Sequence, residues 1–291
     1  MKHTSDTTDN LSLGRLIKGT VAFSSLVKSP QTIAGMTKSL YRTWCQNIPH
    51  ENMNSDQTIL LTPNHPPQYI ALLVPGFQLD GSSLLGIKMA LNHKGIPALF
   101  PEGLPHGREA ILFRDHPQVL VEKIVSYANK VQKQFPNARI LIMGHSFGGT
   151  QALHAASMLQ KEQDTSRESP QITPVTVAGV LDTFGSSAEA FHALYYRTPS
   201  RVFSGKDDFI EQARGIQLSQ THGVTFVDLN DRCMPENVQA GARYQTDSSQ
   251  LISSTEKSPG HYRQGTHPDF AQYIVGEVLR KIEEAQQPTP Q

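Results

Sequence analysis

Cysteine is scarce in this chain: Cys45 and Cys233 are the only two among 291 residues. Two distant thiols exclude a disulfide framework, and they have neither metal-ligand nor redox spacing. They read as ordinary cysteines. Long apolar runs are missing as well, and nothing approaches the roughly 18 consecutive apolar residues that span a bilayer. Asp6 and Asp9 precede any apolar stretch, unlike a secretory leader, so a soluble cytoplasmic protein is expected. Neither sign of charge dominates, with 26 Lys plus Arg against 26 Asp plus Glu. That balance offers no general attraction to nucleic acid or to an acidic partner. No H-E-x-x-H or comparable ligand spacing occurs, so no metal is expected.

What is present is a regular alternation. From residue 59 onward, short runs rich in branched apolar residues alternate with longer segments of helical period. This is the pattern of a mostly parallel sheet flanked by helices. Buried strands are expected at 69–77, 96–103, 138–144, 175–184, 201–207 and 223–230, the last of these as the final strand. Helices are expected at 82–95, closing on Gly95, at 116–136, after residue 149, near 186–196, and at 268–285. The segments 161–174 and 231–260 are polar and read as surface loops, the second long enough to be functional or mobile. The expected domain layout is an N-terminal helical extension over 1–58, one α/β domain over 59–285 with little or no inserted cap, and a disordered tail over 286–291.

One stretch carries chemistry. In "LIMGHSFGGTQAL" (141–153), Ser146 stands between glycines, after a strand and before a helix. That order is what a nucleophile elbow requires: a strained turn exposes the hydroxyl, and flanking glycines let neighbouring chain pack close. The turn also aims the Phe147 N–H, at the helix N-terminus, toward a developing oxyanion. A phosphate loop would want a lysine after its second glycine, and "GFQLDGSS" (76–83) has Ser82 there.

A serine hydroxyl needs a base and a carboxylate that orients it, in the chain order Ser, Asp, His. In "GHYRQGTHPDF" (260–270), His261 stands clear of the last helix, while His267 at the helix entrance is the alternative base. For the acid, Asp208 is favoured slightly over Asp182, with Asp207 a further alternative; helix or turn capping is the competing role for Asp182 and Asp207. The second oxyanion donor is expected from "VPGF", as the Phe77 N–H, with Gln78 as alternative.

Over residues 59–285 the constellation resembles the α/β-hydrolase superfamily. "LVPGF" resembles its oxyanion loop, with Pro75 in place of the usual histidine, and "GHSFGG" resembles its elbow. "ALFPEGLPHGR" is similar to the loop after the fourth strand in lipases and esterases, and "GKDD" resembles the acid turn, placing the carboxylate at Asp208. "GHSFGGTQALHAASMLQ" with "VAGVLDTF" is similar to assembly-line thioesterases, many of which carry the acid where Asp182 stands. The chain lacks the long lid insertion of those thioesterases between Asp182 and Asp208, which favours the later acid. The resemblance implies a cofactor-free serine hydrolase of a carboxylic ester with a lipophilic part. The alternatives are an acyl thioesterase with an acyl carrier protein as partner, and a non-catalytic binding protein on the same fold.

Residues 11–50 contain five basic residues, Arg15, Lys18, Lys28, Lys38 and Arg42, and no acidic one. Apolar residues at helical spacing accompany them. Such a segment either packs on the domain's flank or contacts a membrane surface or acyl cleft.

Overall fold

In a computed structural model of the protein, the described residues are 66–76, 79–112, 117–162, 172–179, 223–231 and 251–286, with positions 37, 38, 41, 54 and 239. The elements are β1 (Tyr69–Val74), α1 (Leu85–His93), β2 (Ala98–Leu99), α2 (Gly107–Leu112), α3 (Pro117–Gln134), β3 (Arg139–His145) and α4 (Phe147–Glu162). They continue as β4 (Ile172–Val177), β5 (Val224–Asp228), β6 (Leu251–Ser254) and α5 (Pro268–Glu284). The six strands among the described residues form one sheet in the order β2-β1-β3-β4-β5-β6, and every described pairing is parallel.

Strand β1 shows why these segments become strands. Its residues alternate between two cores, Ala71 and Leu73 facing one way and Ile70, Leu72 and Val74 the other. A parallel strand covered on both faces therefore reads as an unbroken apolar run. The first core is completed by Ile87 and Leu91 of α1 and by Phe270, Ile274 and Val278 of α5. Val121, Ile124 and Ala128 of α3, with Ala152, Ala155 and Leu159 of α4, complete the second. Gly95, at φ +73°, ends the turn after α1 in the left-handed conformation expected of a C-terminal cap.

Three features of the expected layout change. Strand β4 starts at Ile172, inside the segment expected to be loop, and contains Pro174. Among the described residues, pairing with β5 begins only at Val175, so Pro174 has no described partner on that side, where a missing N–H is tolerated. The strand at Val224–Asp228 is not the last. Beyond it lies β6, four residues inside the expected 231–260 loop, pairing Thr225 with Leu251 through Asp228 with Ser254. The expected strand at 201–207 and helix near 186–196 lie outside the described residues.

Asn54, from the segment read as an extension, docks on the sheet. Its side chain donates to the Phe100 carbonyl and accepts from the Phe100 N–H, both at 3.0 Å. The amide thus replaces, at the end of β2, the two bonds a neighbouring strand would supply. The rest of the basic N-terminal segment, apart from the isolated positions 37, 38 and 41, lies outside the described residues. Among the described residues no helix is long and apolar enough to cross a membrane.

Candidate active site

The carboxyl end of β3 delivers Ser146 into a left-handed turn with φ +55°. A side chain in that region carries strain of about 1–2 kcal/mol, held only where surrounding contacts impose it. Those contacts are visible. The Ser146 N–H donates to the Val177 carbonyl on β4 at 3.0 Å, and its own carbonyl accepts from the Gly149 N–H at 2.9 Å. Close packing requires the glycines: a Cβ on Gly144 would lie 2.0 Å from the Gly148 carbonyl oxygen, and one on Gly148 would lie 2.4 Å from that of Val74. Helix α4 starts at once with Phe147.

The loop after β1 crosses this turn. A Cβ on Gly76 would sit 3.1 Å from the Ser146 Cβ, so the loop backbone lies directly against the serine. Asp80 anchors the loop from below. Its Oδ1 caps the short 3-10 turn Gly81–Leu84 by accepting from the Ser82 N–H at 3.0 Å, and its Oδ2 accepts from the Gly107 N–H at 3.0 Å. An aspartate before Gly-Ser-Ser was a readable capping signal, and its role here is to tie the loop to α2. Phe77 and Gln78, the expected donors from this loop, lie outside the described residues.

His261 opens a short 3-10 turn ahead of α5 and is buried at 2% exposure. Its Nδ1 donates to Asp231 Oδ2 at 2.6 Å. A carboxylate only accepts, so the proton is on Nδ1 and the Nε2 lone pair is left for a base's work. That Nε2 is buried and has no hydrogen-bond partner among the described residues. His261 also lies beside the serine's own neighbour, its ring centroid 4.7 Å from that of His145. His267 takes the N-cap position of α5 without a side-chain capping bond, and no carboxylate partners it among the described residues.

The carboxylate on His261 is therefore Asp231, three residues past the end of β5, which the sequence reading did not weigh. Asp208, Asp182 and Asp207, the expected acids, lie outside the described residues. The place expected for the acid, after the penultimate strand, is where Asp231 stands. What shifted was the identity of that strand: β6 makes β5 the penultimate one. The available signal was "GVTFVDLND" (223–231), an apolar run ending in two aspartates.

Behind the pair lies a second buried carboxylate. Asp228 is fully buried; its Oδ1 accepts from the Asn230 N–H at 2.9 Å and its Oδ2 from Gln264 Nε2 at 2.7 Å. The Gln239 side chain brackets the Asp228 backbone, donating to its carbonyl at 2.9 Å and accepting from its N–H at 2.8 Å. Burial pushes the Asp228 carboxyl above the usual carboxylate range, against the opposing hydrogen bonds of Ser258, Asn230 and Gln264. Burial, reinforced by His261, lowers His145 to about 3, so its ring is neutral at physiological pH. Among the described residues, no group of three or more His, Cys, Asp or Glu side chains is arranged to hold a metal ion.

A parallel sheet with an elbow serine and a loop His–Asp pair at its carboxyl edge defines a class: the chain has the α/β-hydrolase fold. Within that class, residues 97–185, from β2 through the elbow and β4, match the model of the lipase (class 3) family. Two solved structures share the fold. One is of the metagenome-derived lipolytic enzymes LipS and LipT, at TM-score 0.53 and 11% identity, covering 75% of this chain and 95% of that one. The other is Est1E from Butyrivibrio proteoclasticus with bound ferulic acid, at TM-score 0.51 and 14% identity, covering 76% and 92%. No curated protein matches the chain by sequence.

Proposed function

We propose that the protein is a serine hydrolase acting on carboxylic esters with a lipophilic acyl or alcohol part. The observation that carries this reading is the buried His261–Asp231 pair, 2.6 Å apart, whose Nε2 has no partner among the described residues and whose ring lies 4.7 Å from that of His145, the residue before the left-handed Ser146. The lipase (class 3) match over 97–185 and the lipolytic and esterase neighbours support the ester as the bond cleaved.

The roles follow from the chemistry. His261 Nε2 takes the Ser146 proton as Oγ attacks the ester carbonyl. Asp231 holds the required tautomer and stabilises the imidazolium that forms. The Phe147 N–H, at the start of α4, and a donor from the loop at Phe77 or Gln78 receive the oxyanion. The imidazolium protonates the leaving alcohol, and water, activated by the same nitrogen, releases the acid from Ser146. Short charge-assisted bonds such as that at Nδ1 are about twice as strong as neutral ones, which suits them to holding a base in place.

The thioesterase alternative drew on Asp182 as the acid. The Nδ1 of His261 is already engaged by Asp231, which leaves Asp182 no place on that nitrogen. The non-catalytic alternative requires a redundant site, whereas here the strain, the tautomer and the open nitrogen coincide.

The test is labelling with a fluorophosphonate probe, read by intact mass, on wild type and Ser146→Ala. One adduct on wild type and none on the variant, followed by turnover of p-nitrophenyl esters, is the expected result. Folded wild type that takes no label and cleaves no ester overturns the reading; acyl thioesters cleaved in preference to oxoesters would move it to the thioesterase class. Membrane contact through residues 11–50, an acyl carrier partner and a cytoplasmic location are further proposals, tested by vesicle co-sedimentation, carrier binding and fractionation.

A further inference from the structure

Gln264 belongs to none of the roles above, yet it is fully buried and touches three groups of the site. Its Nε2 lies 2.7 Å from Asp228 Oδ2 and 3.1 Å from Asp231 Oδ2, and its Oε1 lies 3.2 Å from His145 Nε2. Two carboxylate oxygens accept only, so both amide hydrogens are committed to them and Oε1 faces His145. His145 must then donate from Nε2, which leaves its Nδ1 unprotonated and, among the described residues, unpartnered. A side chain with all its polar atoms used in one orientation is specified by its surroundings.

The oxygen that Gln264 reaches on Asp231 is the one that accepts from His261. This oxygen therefore has two donors converging on it, and the carboxylate cannot rotate without losing both. Asp228 is the fixed point on the other side: the β5–β6 register and the bracketing Gln239 amide hold its backbone. Gln264 also shares the short turn of His261, whose 3-10 segment spans His261–Arg263. It thus ties the base's own loop to the loop that carries the acid.

We propose that Gln264 is a positioning residue for the reaction assigned above: it locks Asp231 Oδ2 onto His261 by bridging Asp228 and Asp231, with His145 fixing the direction of the amide. This inference rests on the hydrolase reading for its effect on turnover, but the bond it predicts can be read without turnover.

The test uses Gln264→Met, a near-isostere without donors, and Gln264→Asn, which keeps an amide too short to reach both carboxylates. The first readout is the downfield proton resonance of the His261 Nδ1–H in the free enzyme, identified by its absence in Asp231→Asn. It is expected to shift or broaden in both Gln264 variants while thermal unfolding remains cooperative. The second readout is steady-state ester hydrolysis. A 10- to 100-fold loss in kcat with KM within about twofold is expected, as when an outer hydrogen-bond partner of a working side chain is removed. An unmoved resonance and unchanged kcat in folded variants of both kinds overturn the proposal. So does a loss of activity that merely follows the fraction unfolded. Failure of the hydrolase reading would appear separately, as a wild type without fluorophosphonate adduct or ester turnover, with the resonance still reporting on Gln264.

Discussion

His261 and Asp231, thirty residues apart in the chain, meet at 2.6 Å with both side chains closed to solvent. Burial matters for what the pair can do. With both side chains closed to solvent, water cannot compete for Nδ1.

Asp231→Asn is the direct test of this pair. An amide can donate to Nδ1, which puts the ring in the wrong tautomer. The expected loss is about 10³- to 10⁴-fold in kcat with the fold intact. Asp208→Asn and Asp182→Asn are expected to retain near-normal kcat. A profound loss in either of those, with Asp231→Asn active, would reverse the assignment.

Backbone strain at the elbow gives a second prediction. Ser146 and Ala178 are the non-glycine residues with positive φ among the described ones, at +55° and +44°. Replacing either with glycine should raise stability by about 1 kcal/mol, since glycine adopts this region without a Cβ penalty. Ser146→Gly should at the same time abolish ester hydrolysis, while Ala178→Gly should not. Urea unfolding with parallel ester assays checks both, and a destabilised Ser146→Gly would contradict the strain argument.

Glycine contacts give a third. A Cβ on Gly265 would lie 2.3 Å from the Ser83 carbonyl oxygen, and one on Gly86 would lie 2.8 Å from the Gly265 carbonyl oxygen. These glycines interlock the turn carrying Asp80 with the loop carrying His261, sealed by the Ile87 N–H donating to the Gly265 carbonyl at 3.1 Å. Gly265→Ala should cost more than about 2 kcal/mol, because backbone rather than a flexible side chain must yield. It should also lower kcat by displacing His261. Chemical denaturation that finds Gly265→Ala as stable as wild type would refute the clash.

Acid stability provides a fourth. His145 falls from 6.5 to about 3 in the fold, mainly through burial. Between those values the unfolded chain binds the proton and the folded one does not, so this group lowers stability as pH falls through the window. One such proton gives a slope of up to about 1.4 kcal/mol per pH unit. Asp228, raised by burial, acts in the opposite sense, contributing stability at low pH that is lost as pH rises through its folded value. His145→Gln should therefore flatten the loss of stability below about pH 6.5. An unchanged slope in pH-resolved unfolding would show that His145 is not the source.

Much of this architecture was readable because parallel strands and their covering helices leave unambiguous patterns. "YIALLV" is apolar on both faces because both faces are covered, and "GHSFGG" combines small residues where backbones touch with a hydroxyl where one must stand free. The acid was harder. β6 is four residues, "LISS", on the sheet's far edge, with burial alternating and two serines, so its composition is that of a loop. Without it Val224–Asp228 looks terminal, and the expectation for the acid falls on Asp208, after the strand expected at 201–207, which lies outside the described residues. Gln264 left no local signal, because an amide between two carboxylates gains its meaning only from what converges on it.

By itself the sequence determined the α/β alternation, the strained elbow at Ser146 and a histidine loop ahead of the last helix. These depend on residue type and on neighbours within a few positions, through periodicity, steric freedom and capping. Which carboxylate meets His261, and that Asp228 and Gln264 stand behind it, was decided only by the tertiary structure. Those partners are separated by 30 to 36 residues, and only the parallel register of β5 and β6 brings their loops into one buried space.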